Sequence, residues 1–330
     1  MMRWKYAAAV LMLAGLGLTS TPGYGQSNWP ERGLTLVASP PTDLPWVKGE
    51  PDPQLVILRE LLPRISRELG VPVTLADQPG GREILSANQV AGARPDGYVF
   101  GALGANPVIA WEIQGYTPYI RKELTPVATA WRVVYAVIVP AENPAADLRA
   151  LGRSEKPPRL AHAGLEPASL GTVMALETAR SAGFEWALEK VDRLDPEFLL
   201  EGRAEAMVLP LSHFKILPRA DRFKVLTVLS DSYAPCVGDW PTLESQGLEV
   251  PPNPLLSFYL PSKVNWRIRS RLSTALNNTL RQPAVVRRLN EACLIPYVED
   301  LEGAVDAADR EYARESARLG ALGLSTAEGK

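Results

Sequence analysis

The residues best placed to do chemistry stand between positions 71 and 101. Gln78-Pro79-Gly80-Gly81-Arg82-Glu83 follows an apolar run, VPVTLA, and precedes ILSANQVA, whose spacing suits a helix. A strand that passes through a glycine turn into a helix can leave the first N–H groups of that helix facing an anion. Gly80 and Gly81 suit the turn because a side chain would block the approach and oppose its dihedral angles. An ordinary strand-to-helix turn with no ligand uses the same residues, so both readings stay open.

Other chemistry finds little to work with. His162 and His213 are the only histidines. A metal site of histidines is not expected, and His162 reads as a hydrogen-bonded structural residue at a strand end. Ser169 and His162 can be imagined as nucleophile and base, but nothing orients the histidine. The chain has no Gly-x-Ser-x-Gly elbow, no His-Glu-x-x-His and no phosphate loop. The expectation is a protein that is not an enzyme and carries neither cofactor nor metal. Trp46, Trp111 and Trp131 either floor a site for an apolar or aromatic ligand or pack ordinarily. Cys236 and Cys293 are the only cysteines, and their spacing excludes a Cys-x-x-Cys motif. They either close a disulfide, worth roughly 4 kcal/mol for so long a loop, or stay two separate buried thiols.

Positioning these groups requires an alternation of strands and helices. Apolar runs predict strands at 34–39, 71–76, 98–101, 135–140, 159–163, 223–229 and 256–260. Helices are expected at 55–69, 82–91, 144–151, 169–182, 265–280 and 305–322. In the first, Leu55, Leu58, Leu62, Ile65 and Leu69 share one face, and Pro63 predicts a kink or break. Residues 104–107 read as a turn at a strand end.

Composition bounds the rest. A chain of 330 residues, 46% hydrophobic, suits a soluble globular protein of one or two domains. Residues 1–25 read as a signal peptide: Arg3 and Lys5, then AAAVLMLAGLGL, too short to span a bilayer, then small residues ending at Gly25. The formal net charge of −2 becomes −4 once the two leader cations are removed (−2 minus 2). With no basic stripe, a nucleic-acid partner is not expected.

Several short motifs then fall in a fixed order. Gly70-Val71-Pro72-Val73, Asp77-Gln78-Pro79-Gly80-Gly81 and Ala93-Arg94-Pro95-Asp96-Gly97-Tyr98 are followed by Glu123-Leu124-Thr125-Pro126-Val127. Leu199-Leu200-Glu201-Gly202 and Trp240-Pro241-Thr242-Leu243-Glu244-Ser245-Gln246-Gly247 complete the series. This order resembles the Bug-type substrate-binding proteins of tripartite tricarboxylate transporters, along nearly the whole mature chain. The resemblance implies an α/β periplasmic binding protein type 2 fold, two lobes joined by hinge strands with a ligand cleft between them. Lobe 1 would comprise residues 26–127 and 255–330, and lobe 2 residues 128–254. It implies an exported, periplasmic, monomeric receptor that closes on a small organic acid and hands it to membrane transporter subunits.

Carried over by position, the resemblance implies ligand contacts from Ser39, Pro40, Pro41, Thr42, Asp43, Gly80, Gly81, Arg82 and Gly104 in the first lobe. The second lobe would supply His162, Ala163, Gly164, Leu165, Glu166, Pro167 and Ala168, with Leu209, Pro210, Leu211 and Ser212. Several of these depart from the family. Small residues after Pro-Gly become Arg82 and Glu83, and a Gly-Thr becomes Glu166-Pro167, which adds a negative charge and deletes a donor. A carboxylate about 4 Å from Glu166 would meet a repulsion of roughly 4 kcal/mol at an effective dielectric of 20, about a thousandfold in affinity. Three readings follow. Arg82 grips a carboxylate bidentately in place of lost amides; or the cleft has turned to a neutral or cationic ligand; or Arg82 and Glu83 are solvated first-turn residues. A sensory or protein-interaction module that has lost its solute, its cleft blocked by residues 43–52, is the alternative function.

Overall fold

The computed structural model describes residues 29–39, 52–78, 83–163, 169–231 and 233–326. Among the described residues, eleven strands lie in two sheets. The first contains β1 (Leu34–Ala38), β2 (Val73–Asp77), β3 (Val99–Gly104), β4 (Leu124–Val133), β10 (Leu255–Pro261) and β11 (Leu294–Pro296). The second contains β5 (Tyr135–Pro140), β6 (Arg159–Ala163), β7 (Ala187–Val191), β8 (Ala206–Pro210) and β9 (Phe223–Val228). Their orders are β11-β4-β10-β3-β1-β2 and β7-β6-β8-β5-β9.

The two sheets repeat one plan. In the first, β1 is parallel to both β2 and β3, and β10 is antiparallel to β3 and β4. In the second, β6 is parallel to β7 and β8, and β5 is antiparallel to β8 and β9. Parallel neighbours need a crossover, and helices supply it. Pro53–Leu69 joins β1 to β2, Ile84–Ala91 joins β2 to β3, and Leu170–Ala182 joins β6 to β7.

Sequence explains the first of these helices. Asp52 accepts Leu55 N–H on its side chain, Pro53 stands where no N–H is needed, and Gly70 ends the helix at a φ of 78°. Leu55, Leu58, Leu61, Ile65 and Leu69 are buried in a cluster with Phe100, Trp131 and Phe258 from the sheet. That helix is continuous through Pro63, so of the expected kink or break the break does not occur. Burial of each such side chain contributes about 1.5–3 kcal/mol, and several of them flank Pro63 in this helix, enough to offset one lost backbone bond. Residues 106–113 also differ from the expected turn: a π-helical turn, Asn106–Ala110, runs into Trp111–Ile113. Four consecutive buried side chains, Pro107 to Ala110, hold it against the first sheet.

The chain passes between the sheets twice. β4 belongs to the first sheet along its whole length, so residues 128–133 stay with that sheet and the change falls at Val134. The return runs through Asn253 and Pro254 into β10. The crossings are tied together: Val133 N–H donates to Pro254 O at 2.9 Å, and Arg132 Nη1 donates to Asn253 O at 2.7 Å. Asn253 Nδ2 donates to Leu229 O at 2.8 Å, and its Oδ1 lies 3.0 Å from the Ser230 hydroxyl.

The last helix, Leu301–Ala321, closes the chain across both lobes. Leu319 packs with Val173 of the second lobe, and Arg318 pairs with Glu177 there at 2.9 Å. Cys236 and Cys293 are joined, their Cα atoms 5.2 Å apart, tying the loop after β9 to the approach of β11. Among the described residues no helix is long and apolar enough to cross a membrane.

Candidate ligand cleft

The second-lobe wall is built at the end of β6 and the start of the helix Leu170–Ala182. Ser169 is the N-cap in extended conformation but makes no side-chain cap, so it leaves the first-turn N–H groups of Gly171 and Thr172 to other partners. Its hydroxyl lies 3.3 Å from Thr172 Oγ1 instead. That is its hydrogen bond, and the Ser169–His162 pairing imagined from the sequence does not form. Gly171 cannot carry a side chain here: a Cβ would stand 2.6 Å from Tyr135 Cε1. The absent Cβ lets the Tyr135 ring lie against the helix start.

The first lobe faces this wall with the end of β3 and the start of the helix Pro53–Leu69. Leu170 N–H donates to Asn106 Oδ1 at 2.8 Å, a bond from one lobe to the other. Trp131 Nε1–H donates to Gln54 Oε1 at 3.0 Å. With both carbonyl oxygens taken, the NH₂ groups of Asn106 and Gln54 remain as donors. Glu83 precedes the helix Ile84–Ala91 in left-handed conformation, φ 66°. Its main-chain oxygen accepts the Ser86 hydroxyl at 2.7 Å.

Together these residues enclose a cavity of about 60 Å³ shared by the lobes. Gln54, Glu83, Asn106, Tyr135 and Ser169 supply its polar lining, and Val133, Leu194, Val208, Leu255 and Leu256 its apolar walls. Gly104 and Pro210 border it too. Drug-sized ligand pockets run to about 300–1,000 Å³, so this cavity is small for its class.

A second contact joins the lobes. His213 Nε2 lies 3.2 Å from Asp52 Oδ2, both side chains almost wholly buried, and His213 Nδ1 lies 3.2 Å from Ser212 Oγ. Asp52 thus caps the first-lobe helix with one oxygen and meets the second lobe with the other.

The residues expected from the sequence divide accordingly. Pro40, Pro41, Thr42, Asp43, Gly80, Gly81, Arg82, Gly164, Leu165, Glu166, Pro167 and Ala168 lie outside the described residues, as does Trp46. Ser39 is half-buried directly after β1, and His162 and Ala163 are buried in β6. Leu209 and Leu211 are core residues beneath the cleft, and Ser212 turns to His213. Trp111 and Trp131 are packing residues, 2% and 0% exposed, rather than a ligand floor. Gln54, Asn106, Tyr135, Ser169 and Gly171 were not among the expected site residues. Asn106-Pro107 after a strand, and the Ser-Leu-Gly-Thr opening of a helix, were the signals present.

Comparison with known proteins agrees with the geometry. The family model described as "Tripartite tricarboxylate transporter family receptor" matches residues 57–324. A UPF0065 protein of Bordetella bronchiseptica is 24% identical over 288 residues, 85% of this chain and 83% of the relative. The solved structure "R. palustris Rpa4515 with adipate" covers 90% of this chain and 99% of its own at 21% identity, with a TM-score of 0.73. "MatC (Rpa3494) from Rhodopseudomonas palustris with bound malate" covers 88% and 100% at 21% identity, with a TM-score of 0.69. At such identities the structures establish the fold, the two-lobed α/β architecture of periplasmic solute-binding proteins. With four-fifths of its length inside the family model and its sheets in that architecture, the chain belongs to the receptor family of the tripartite tricarboxylate transporters.

Proposed function

We propose that this protein is an exported solute-binding receptor that captures a small organic carboxylate between its lobes without altering it. It then presents the closed complex to the membrane subunits of a tripartite tricarboxylate-type transporter, acting as a periplasmic monomer. The observation that carries the reading is the cavity between the lobes at the start of the helix Leu170–Ala182. A helix start favours an anion, and donors from Asn106, Gln54, Ser169 and Tyr135 surround it. Similar folds bound to adipate and malate support a carboxylate as the solute class.

Isothermal titration of the mature protein with a panel of mono-, di- and tricarboxylates tests it, alongside native mass spectrometry of protein purified from periplasm. Binding at micromolar affinity with a smaller radius of gyration is expected. No heat, no co-purified solute and unchanged scattering across the panel would sink the reading. They would favour a module that keeps the fold and has lost the solute, which the small cavity also suits.

A further inference from the structure

The two halves of the disulfide come from different lobes. Cys236 stands between β9 of the second sheet and the return crossing at Asn253, and it packs with Phe198, Leu217 and Trp240 on the second-lobe core. Cys293 follows the helix Pro283–Glu291, whose Val285 and Leu289 lie in the first-lobe core, and it leads into β11. The next residue, Leu294, stands opposite Val133 at the end of β4. The Cys293 side chain reaches into the second-lobe cluster that holds Val134 and Val228. The bond is therefore a covalent tie from lobe to lobe, beside the place where the backbone crosses at Val134. We propose that it is a redox-sensitive strap: oxidised, it limits how far the lobes part, and reduced by a dithiol, it lets the ligand-free protein open further. The inference concerns the movement of the lobes and holds for whatever solute the cleft takes.

Two observations make the bond a restraint on that movement. Cys236 and Cys293 both hold left-handed backbone, φ 67° and 60°, a conformation that residues with side chains rarely adopt. With the bond cut, each is free to return to an ordinary conformation and to carry its segment with it. A cavity of about 250 Å³ also lies on the seam between the lobes. Pro53 and Val56 line it from the first-lobe helix, Ser212 and Lys215 from the second lobe, and Arg288 and Ala292 from the approach to β11. Ala292 adjoins Cys293, and Lys215 Nζ lies 3.6 Å from Cys236 Sγ, so the bond stands at one end of this space. Pro53 and Ser212 adjoin Asp52 and His213, so their buried pair stands at the other. A covalent bond and a polar pair thus hold the seam, with unfilled volume between them. Cutting the bond releases conformational freedom chiefly to the open protein, because in the closed one the remaining contacts still hold the lobes.

A reductant has one sulfur to approach. Cys293 is 0% exposed, whereas Cys236 is partly exposed. A thiolate of the dithiol attacks Cys236 Sγ, the S–S bond breaks, and Cys293 leaves and takes a proton. The second thiol of the reductant then attacks the mixed disulfide and frees Cys236 as a thiol. The protein gains two electrons and two protons, and the reductant is oxidised to its own disulfide.

Small-angle scattering of the ligand-free mature protein tests the strap, with dithiothreitol as the dithiol and mass after alkylation to count free thiols. Reduced wild type, and the variant carrying both Cys236→Ala and Cys293→Ala, should have a radius of gyration about 1 Å larger than the oxidised protein, against roughly 19 Å for a folded chain of this length. Re-oxidation of wild type should restore the smaller value. Losing the bond also lowers stability, so Leu272→Ala, which truncates a buried first-lobe side chain and keeps the bond, is the control, and its radius should match oxidised wild type. An unchanged radius once both thiols are free overturns the inference, and so does an equal increase in Leu272→Ala. Free thiols in protein purified from periplasm, or a bond that dithiothreitol leaves intact in the folded protein, overturn it too. Reduced protein that loses its cooperative melt shows a bond needed for the fold itself, which also refutes the strap.

Discussion

Replacing Glu311 by glutamine will stabilise the protein above pH 7 and leave it unchanged below about pH 4.5. Glu311 lies on the helix Leu301–Ala321 and is 3% exposed. Its Oε1 accepts Leu255 N–H at 2.8 Å, at the first residue of β10, where the chain re-enters the first sheet. Burial pushes its carboxyl up from 4.5 to about 7, against the pull of the Leu255 amide, Arg314 and Arg132, with Glu315 adding to the rise. A raised native pKa means that the folded state binds the proton better than the unfolded chain does. Its stabilising contribution is therefore complete below pH 4.5 and is lost as pH climbs through 7. The rise from 4.5 to about 7, at about 1.4 kcal/mol per pH unit, amounts to about 3 kcal/mol. Glutamine keeps an oxygen for Leu255 N–H and never ionises, so it escapes that cost. Denaturant melts of both proteins from pH 4 to pH 9 isolate the effect as the difference between them. The difference should grow from near zero to about 3 kcal/mol in favour of glutamine, several degrees in Tm. A pH-independent difference, or a wild type that is the more stable at pH 8, would show that Glu311 is not held in its neutral form by the fold.

Three further outcomes follow from single contacts. Reducing the Cys236–Cys293 bond, or replacing both residues by serine, releases a loop of 57 residues and should cost about 4 kcal/mol in chain entropy; melting with and without reductant measures it. Gly171→Ala drives a methyl to 2.6 Å from the Tyr135 ring, so it should destabilise by about 1–3 kcal/mol and weaken ligand binding, whereas Gly183→Ala in the same helix's C-cap should leave binding intact. Asp52→Asn keeps an acceptor for Leu55 N–H but removes the charge facing His213. Small-angle scattering of the ligand-free variant should show a larger radius of gyration, and an unchanged profile would exclude this pair from holding the lobes together.

Elements with a strong apolar period were legible in the sequence. The strand at Arg159–Ala163 was read to the residue, and the helix at Trp266–Leu280 begins one residue after its Asn265 cap, as capping residues do. Elements without such a period leave no such signal. β7, ALEKV, is an edge strand with Leu188 and Lys190 exposed, and β11 is three residues long. The helix Pro283–Glu291 buries only Val285 and Leu289. The cleft was legible at the level of lobes and hardly at all at the level of side chains. Asn106 bonds Leu170, 64 positions away, and Gln54 bonds Trp131 at a separation of 77. Such contacts exist only once both crossovers have brought distant strands together, so no local pattern announces them. The pair Gly80-Gly81 is legible because a glycine pair after an apolar run is a local pattern.

The lobe-to-lobe contacts differ in kind, and the difference bears on how the cleft opens. A cavity of about 60 Å³ is small beside ligand pockets of about 300–1,000 Å³, so room for a dicarboxylate or amino acid is expected to come from the lobes parting. The bond from Leu170 N–H to Asn106 Oδ1 lies on the cavity wall and must break for the lobes to part there. It joins uncharged groups and is worth about 1 kcal/mol once water replaces the partner. Asp52 and His213 are buried in a pair, and separating them uncovers two polar groups that water must then solvate. Arg318, 7% exposed, reaches Glu177 from a helix anchored on the first sheet, and Glu315 holds the same guanidinium at 2.9 Å. We expect that network and the paired crossings at Val133–Pro254 to persist while the single neutral bond at Asn106 releases. If the carboxylate takes the NH₂ groups of Asn106 and Gln54, the bond from Leu170 N–H to Asn106 Oδ1 is left to reform when the lobes close, which returns the cost of opening at that point.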